Sequence, residues 1–106
     1  MKNIIIIANG SAAQVRADRY EVYAKKNDLY VIDTLIGEKN LVEKVLFYME
    51  RESIDAVLVH SIHDISTNNE DLKKVLLAGM EHGVSINAEE LNWGQASIVW
   101  DGGAGC

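Results

Sequence analysis

Short apolar runs alternate with amphipathic stretches along most of this chain. The first run, "NIIIIA" (3–8), is continuous and β-branched, which is typical of a strand buried on both faces of a parallel sheet. Similar runs predict further strands at 29–34, 55–60 and 84–88, and "ASIVW" predicts a fifth at 96–100.

Between these runs, apolar residues recur at helical spacing in residues 13–27, 41–50 and 69–83. We predict that each helix buries one apolar face. These faces consist of Ala13, Ala17, Tyr20 and Ala24 in the first helix, Leu41, Val42, Val45, Leu46 and Met49 in the second, and Leu72, Val75, Leu76, Gly79 and Met80 in the third.

The third helix carries start and stop signals. Thr67 and Glu70 fit a capping box, in which a hydroxyl caps the first turn of the helix. Gly83 suits the helix exit, and His82 in the last turn complements the negative end of the helix dipole.

The resulting order, β-α-β-α-β-α-β followed by a tail, predicts an α/β fold. We expect three layers, with a mainly parallel sheet of four or five strands between helices. Ligands bind at the carboxyl ends of the strands in such folds. The loops at 9–13 and 61–68 both follow strands, so Ser11 and either His63 or Asp64 are expected to face one cleft.

Length and composition narrow the function. The 106 residues suit a single domain (1–106) with an atypical tail at 91–106, and 48% apolar residues argue against disorder. The net charge of −6 makes duplex DNA a poor partner for this chain alone. The run "IIII" is too short to cross a bilayer, so we expect a cytoplasmic protein without membrane contact.

The candidate chemical groups each have a plain structural alternative. Ser11 suits a nucleophile or a phosphate ligand, but also an ordinary N-cap or turn serine. His63 beside Asp64 suits a general base with its orienting group, although adjacent side chains rarely point at one another and loop polarity is favoured. His60 is expected to be an interior or edge imidazole. The histidines form no metal motif, and no cofactor motif is present, so we predict neither a metal nor a cofactor.

Five segments in sequence resemble the catalytic domain of the serine recombinases, the resolvase/invertase family. Together they span roughly residues 3–90. The segments are "ANGSAAQ" (8–14), "YAKKN" (23–27), "KNLVEKVLFYMERESIDAVLV" (39–59), "IHDISTN" (62–68) and "EHGVSINAEE" (81–90).

The resemblance implies a resolvase-like fold and a function in DNA strand exchange. In that family a serine attacks a DNA phosphate and forms a covalent phosphoserine link, while several arginines bind the phosphate. Ser11 matches the serine, and Lys39 is the only basic residue kept at an arginine position.

The other matched positions depart from the family pattern. Asn9 stands where the first motif has an arginine, and Thr67 replaces the second arginine of the later motif. The aspartate and first arginine of that motif are His63 and Asp64 here. Losing one donor at a developing oxyanion typically costs ~10²–10³ in rate. The loop "SIHDISTNN" is therefore interpreted as the remains of an active-site loop, with Thr67 as a helix cap.

These observations support two main hypotheses. The first is a resolvase-like domain that no longer cleaves DNA and acts as a binding or regulatory module, with a homodimer as the expected assembly. The second is an enzyme, either a divergent serine recombinase or fragment of one, or a hydrolase that uses Ser11. Only Lys39 and Arg16 supply positive charge nearby. A small anion- or nucleotide-binding domain is a third alternative. We expect DNA as a partner only if a further basic domain or protein is present.

Overall fold

A computed structural model describes residues 2–96. It contains three α-helices and a five-stranded sheet within that range. The strands are β1 (Lys2–Ala8), β2 (Leu29–Ile36), β3 (Ala56–Val59), β4 (Ser85–Ala88) and β5 (Gly94–Gln95), and the helices are α1 (Ala13–Lys26), α2 (Leu41–Arg51) and α3 (Asn69–His82).

The strands lie in the order β2-β1-β3-β4-β5, with β1 to β4 parallel and β5 antiparallel to β4. Because β1 is an interior strand and both its faces are covered, Ile4, Ile5, Ile6 and Ile7 are all fully buried. Ile4 and Ile6 pack against α1, whereas Ile5 and Ile7 pack against α2 and α3. The predicted three-layer, mainly parallel α/β fold is confirmed.

The predicted helix faces are borne out to different degrees. All four residues of the α1 face are buried. In α2, Val42 and Leu46 are only partly buried at the margin of the stripe. In α3, Met80 is 76% exposed, so its predicted burial is wrong. Leu76, one turn earlier, is already at the edge of the contact with the sheet. Met80, one turn farther along the helix than Leu76, lies beyond this contact and therefore points to solvent.

The start of α3 differs from the prediction by one residue. Asn68 is the N-cap, because its Oδ1 accepts hydrogen bonds from the backbone N–H groups of Glu70 (2.8 Å) and Asp71 (3.3 Å). Thr67 is exposed and is not the cap, so the capping-box prediction is wrong. The predicted exit is confirmed, since Gly83 closes the helix in a left-handed conformation at φ 69°.

The edge strand β2 carries an irregularity. Its register with β1 shifts between Ile4 and Ile5, so that Ile32 is skipped in the pairing. The next residue, Asp33, accepts a hydrogen bond from the backbone N–H of Thr34 (2.8 Å) and another from the hydroxyl of Tyr48. The bond to this carboxylate raises the pKa of Tyr48 to about 12.

The final predicted strand falls mostly outside the described residues. The short strand β5 ends at Gln95, and Ala96, which follows it, belongs to no strand. Residues 97–100 of the predicted strand lie beyond residue 96. None of the helices in the described part of the chain is long and apolar enough to cross a membrane.

Candidate functional site

The two loops singled out in the sequence meet at the carboxyl edge of the sheet. The side-chain amide of Asn9, directly after β1, donates a hydrogen bond to the backbone carbonyl of Asp64 in the loop after β3. Its Oδ1 accepts a hydrogen bond from the backbone N–H of Gly37 (3.1 Å), just after β2. One side chain thus joins the loops that follow three neighbouring strands, and the predicted shared edge is confirmed.

Ser11 lies on the exposed side of this junction. It follows Gly10, which has φ 92°, and precedes the first turn of α1. The residue at the N-cap position is Ala12, and no side chain caps that helix end, so the N-cap interpretation of Ser11 is wrong. Within residues 2–96 the Ser11 hydroxyl makes no hydrogen bond. The site therefore presents a solvent-exposed turn serine without an associated base.

The polar side chains of the loop at 61–68 mostly serve the loop itself. Ser61 Oγ accepts a hydrogen bond from the backbone N–H of His63 (3.2 Å), and Ser66 Oγ accepts one from Asn68 (3.0 Å). The imidazole of His63 is exposed, and no hydrogen bond joins it to the carboxylate of Asp64 in the described structure. The arrangement of a general base with its orienting group is absent there.

Asp64 places an anionic group inside this junction. The residue is half-buried, and its Oδ2 is buried without a hydrogen-bond partner among residues 2–96. Most buried carboxylate oxygens accept hydrogen bonds, so this atom is an exception. A negative charge here repels a phosphate rather than attracting it.

The nearby cations do not converge on Ser11. Arg16 Nη1 donates a hydrogen bond to the backbone carbonyl of Asn9 (3.0 Å). Lys39 lies exposed in the loop after β2, on the same edge, and forms no hydrogen bond or ion pair with the described residues. It offers a point charge rather than the planar, bidentate fork of an arginine.

Sequence reasoning missed the most highly connected polar group at this edge, Glu89. Arg19 of α1 donates to it from Nη2 (2.7 Å) and Nε (2.9 Å), and the Tyr20 hydroxyl donates at 2.8 Å. Nδ1 of His60, at the end of β3, lies 3.1 Å from its Oε1. These four residues, Glu89, Arg19, Tyr20 and His60, are named the Glu89 cluster below.

The Glu89 cluster shifts the protonation of its members. The hydrogen bonds from Arg19 lower the pKa of Glu89 to about 2 and raise the pKa of Arg19. Burial, reinforced by the hydrogen bond to Glu89, raises the pKa of Tyr20. Arg19 and Glu89 are far apart in sequence, so spacing does not reveal the pair. The available signal was the position of Glu89 directly after a predicted strand.

The polar side chains described above set the chemistry of this edge of the sheet. Among residues 2–96, no three His, Cys, Asp or Glu side chains lie where they hold a metal ion together. The described geometry therefore consists of an exposed serine, an internally bonded asparagine, the carboxylate of Asp64 and the Glu89 carboxylate, whose charge is already paired with that of Arg19.

Several solved structures share this architecture. A resolvase-family site-specific recombinase from Streptococcus pneumoniae aligns with a TM-score of 0.69 and 14% identity over 93% of this chain and 78% of that chain. The N-terminal catalytic domain of TP901-1 integrase aligns with a TM-score of 0.67 and 20% identity over 82% of this chain and 76% of that chain. The C-terminal catalytic domain of ISC1926 TnpA, an IS607-like serine recombinase, gives a TM-score of 0.65 and 18% identity, over 83% and 70%.

The chain has the fold of serine recombinase catalytic domains. At identities of 14–20% this likeness concerns the fold alone. No protein-family model and no curated protein matches the sequence. In this chain β1 and β3 are neighbouring parallel strands, so the loops that follow them lie beside each other, which agrees with the contact between Asn9 and Asp64.

Proposed function

We propose that this domain is a serine recombinase-like module that lacks DNA strand cleavage and acts in binding or regulation. The observation that carries the proposal is the role of Asn9. At the position where the resemblance expects an arginine, the side-chain amide is engaged on both its oxygen and its nitrogen by the protein backbone. It holds the loops together and has no positive charge to offer a phosphate.

The electrostatics of the junction support the same proposal. A phosphodiester brought to Ser11 would meet a junction that contains the carboxylate of Asp64, whose Oδ2 has no compensating partner within residues 2–96. The guanidinium of Arg16 is bonded to a backbone carbonyl instead. Phosphoryl transfer depends on positioned donors that stabilise the developing negative charge. This site supplies few such donors and adds an anion.

The state of the nucleophile is a third, independent support. A serine hydroxyl reacts slowly unless a neighbouring base or a charged clamp activates it. Ser11 is exposed and has no hydrogen bond to His63 or to any other described base. In this proposal the domain acts in the cytoplasm, as a homodimer or with a partner that supplies the basic surface for DNA.

A covalent-adduct assay tests the proposal directly. The protein is incubated with supercoiled DNA that bears candidate sites, quenched with denaturant, and examined for protein-linked ends. We expect none in the wild type or in Ser11→Ala. An adduct that forms with the wild type and disappears in Ser11→Ala would establish the alternative, an active divergent recombinase.

A gel-shift measurement tests the DNA-binding part separately. We expect no retarded duplex at sub-micromolar protein in about 0.15 M salt, where exposed charges are largely screened, because the net charge is −6. The double variant Asn9→Arg with Asp64→Arg places two cations in the junction. It is expected to retard a larger fraction of the duplex than the wild type does. Tight binding by the unmodified protein would contradict the proposal.

A further inference from the structure

The side of the sheet that carries α1 is only partly covered. This helix packs on β1 and β2, whereas the other two helices share the opposite face. Over β3 and β4 the α1 side holds an open cavity of about 460 Å³. The residues that line it include Tyr23, Ala56, Leu58, Asn87 and Trp93. This volume is within the range of small-molecule sites, about 300–1,000 Å³.

One wall of the cavity is a fixed aromatic pair. The ring of Trp93 stacks on Tyr23 with centroids 4.5 Å apart, and it meets Tyr20 edge-on at 5.1 Å. Trp93 and the preceding Asn92 both have left-handed backbones, at φ 65° and 54°. A bulky residue is rarely found in this conformation, and such strain concentrates at functional sites. The backbone N–H of Trp93 holds the turn by donating to the carbonyl of Ala88 (2.9 Å).

Asn87, on the floor of the cavity, has hydrogen-bonding capacity that the described residues do not use. Asn87 uses one amide N–H on the backbone carbonyl of Trp93 (2.9 Å), and its Oδ1 accepts from the hydroxyl of Ser85 (2.7 Å). An amide has two donor hydrogens and two acceptor lone pairs. Within the described residues, one N–H and one lone pair of Asn87 therefore stay available to a ligand.

The remaining lining residues indicate an uncharged occupant. Ala56 and Leu58 provide a flat apolar floor, while Lys2 and Asp28 at the rim balance each other in charge. An asparagine amide that offers a donor and an acceptor is a group that reads the edge of a heterocyclic base. We propose that this cavity binds a neutral, planar heterocycle of nucleobase size, with its donor–acceptor edge on Asn87 and its ring against Trp93.

This site is separate from the Ser11 junction. It lies toward the amino ends of the strands, where Lys2, Leu29 and Ser85 begin β1, β2 and β4. The Ser11 junction lies at the carboxyl ends. The inference therefore stands whether or not strand cleavage has been lost.

Fluorescence and NMR titration with adenine test the inference. Trp100→Phe leaves Trp93 as the only tryptophan, because the chain contains two. We expect adenine to change Trp93 emission saturably and to shift the side-chain amide resonances of Asn87. Benzene, a ring without donors or acceptors, is expected to compete at least tenfold more weakly, because pairing a polar group is worth roughly that factor.

Two variants locate the binding. Asn87→Ala removes the donor–acceptor edge and is expected to weaken adenine binding about tenfold. Ala56→Val narrows the floor without touching a polar group and is expected to weaken it as well. If Asn87→Ala does not fold, the adenine affinity of Ala56→Val tests the location of the site instead. Asn69→Ala, on the exposed start of α3, is the matched control and should bind normally.

Several outcomes would overturn the inference. These are the absence of a saturable change up to the solubility of adenine, equal binding by Ala56→Val and wild type, and equal competition by benzene. Trp93 emission that changes with protein concentration alone would assign this face to self-association. Nuclear Overhauser contacts from Trp93 to residues 97–106 in the ligand-free protein would assign it to the chain itself. Each of these results excludes the heterocycle site.

Discussion

The carboxyl edge of the sheet contains two polar regions that are built in opposite ways. In the Glu89 cluster, three side chains donate to one carboxylate and tie α1 to the ends of β3 and β4. At the Ser11 junction, Asn9 is neutral and is the only side chain among residues 2–96 that joins the loops by hydrogen bonds, and within the same range Ser11 is exposed and unbonded.

The two regions differ in the acceptors to which the arginines of α1 are bonded. Arg19 is committed to Glu89, and Arg16 is hydrogen-bonded to the carbonyl of Asn9. Both arginines of this helix therefore serve acceptors of their own domain. A domain with the serine recombinase fold can thus keep its loops together while the arginines of its first helix bond to acceptors within the domain.

Glu89→Ala should cause the largest loss of stability. It removes the acceptor of the buried Tyr20 hydroxyl and leaves that group unpaired, which costs about 2–3 kcal/mol in the free energy of unfolding. Urea unfolding measures the loss. Glu90→Ala, on the exposed neighbouring residue, should stay within about 0.5 kcal/mol of the wild type. Equal effects of the two variants would mean that the Glu89 cluster contributes little.

Acid should remove part of the same stabilisation. The pKa of Glu89 in the folded protein is about 2, below its ordinary value of 4.5, so the unfolded chain binds the proton first. The contribution is fully present above pH 4.5 and is lost as the pH falls toward 2. The protonated group still accepts hydrogen bonds, so the loss should be smaller than in Glu89→Ala. In urea unfolding at several pH values, Glu89→Ala should show a flatter dependence than wild type between pH 4.5 and 2.

Asn9→Ala should destabilise the protein by about 1–2 kcal/mol, because it removes two side-chain hydrogen bonds between loops. The Asp64 carbonyl loses this donor, whereas the Gly37 N–H keeps its bond to the Ala8 carbonyl (3.2 Å). Amide hydrogen exchange at Gly37 should become faster. The neighbouring change Ser11→Ala should leave the free energy of unfolding within about 0.5 kcal/mol of the wild type, since its hydroxyl bonds to no described residue. A larger effect at Ser11 than at Asn9 would reverse the comparison between the two residues.

The smallest effect concerns the start of α3, behind the loop that Asn9 holds. Asn68→Ala should cost about 1 kcal/mol, as is usual for the loss of an N-cap, whereas Thr67→Ala should cost almost nothing. Thermal unfolding of the two variants measures the difference. A greater cost at Thr67 would support the capping box predicted from the sequence.

The sequence predicts the layers of this fold because their signals are local. The run Ile4 to Ile7 can only be satisfied between two covered faces, and the small residues of α1 mark its buried side. The ends of the helices have weaker local signals. The N-cap of α3 is Asn68 and not the predicted Thr67, because both residues offer a side-chain oxygen and only the turn geometry distinguishes them.

The candidate site was predictable as a location rather than as a set of contacts. Parallel strand order brings the loop of Ser11 near that of Asp64, and strand order follows from the chain pattern. The dual hydrogen bonding of Asn9 requires a third loop, at Gly37, which no local pattern indicates. The link between Arg19 and Glu89 is equally distant in sequence and depends on the reach of long side chains across the sheet.

The irregular edge of β2 bears on how this protein behaves when concentrated. A long strand with an open edge invites other chains to add to the sheet. Here the skipped Ile32 disturbs the pleat, and the carboxylate of Asp33 already occupies the backbone N–H of Thr34. An incoming strand would meet a kinked, negatively charged template with one of its donors already used. The β2 edge therefore resists amyloid-like stacking, and an assembly of this domain is expected to use another surface.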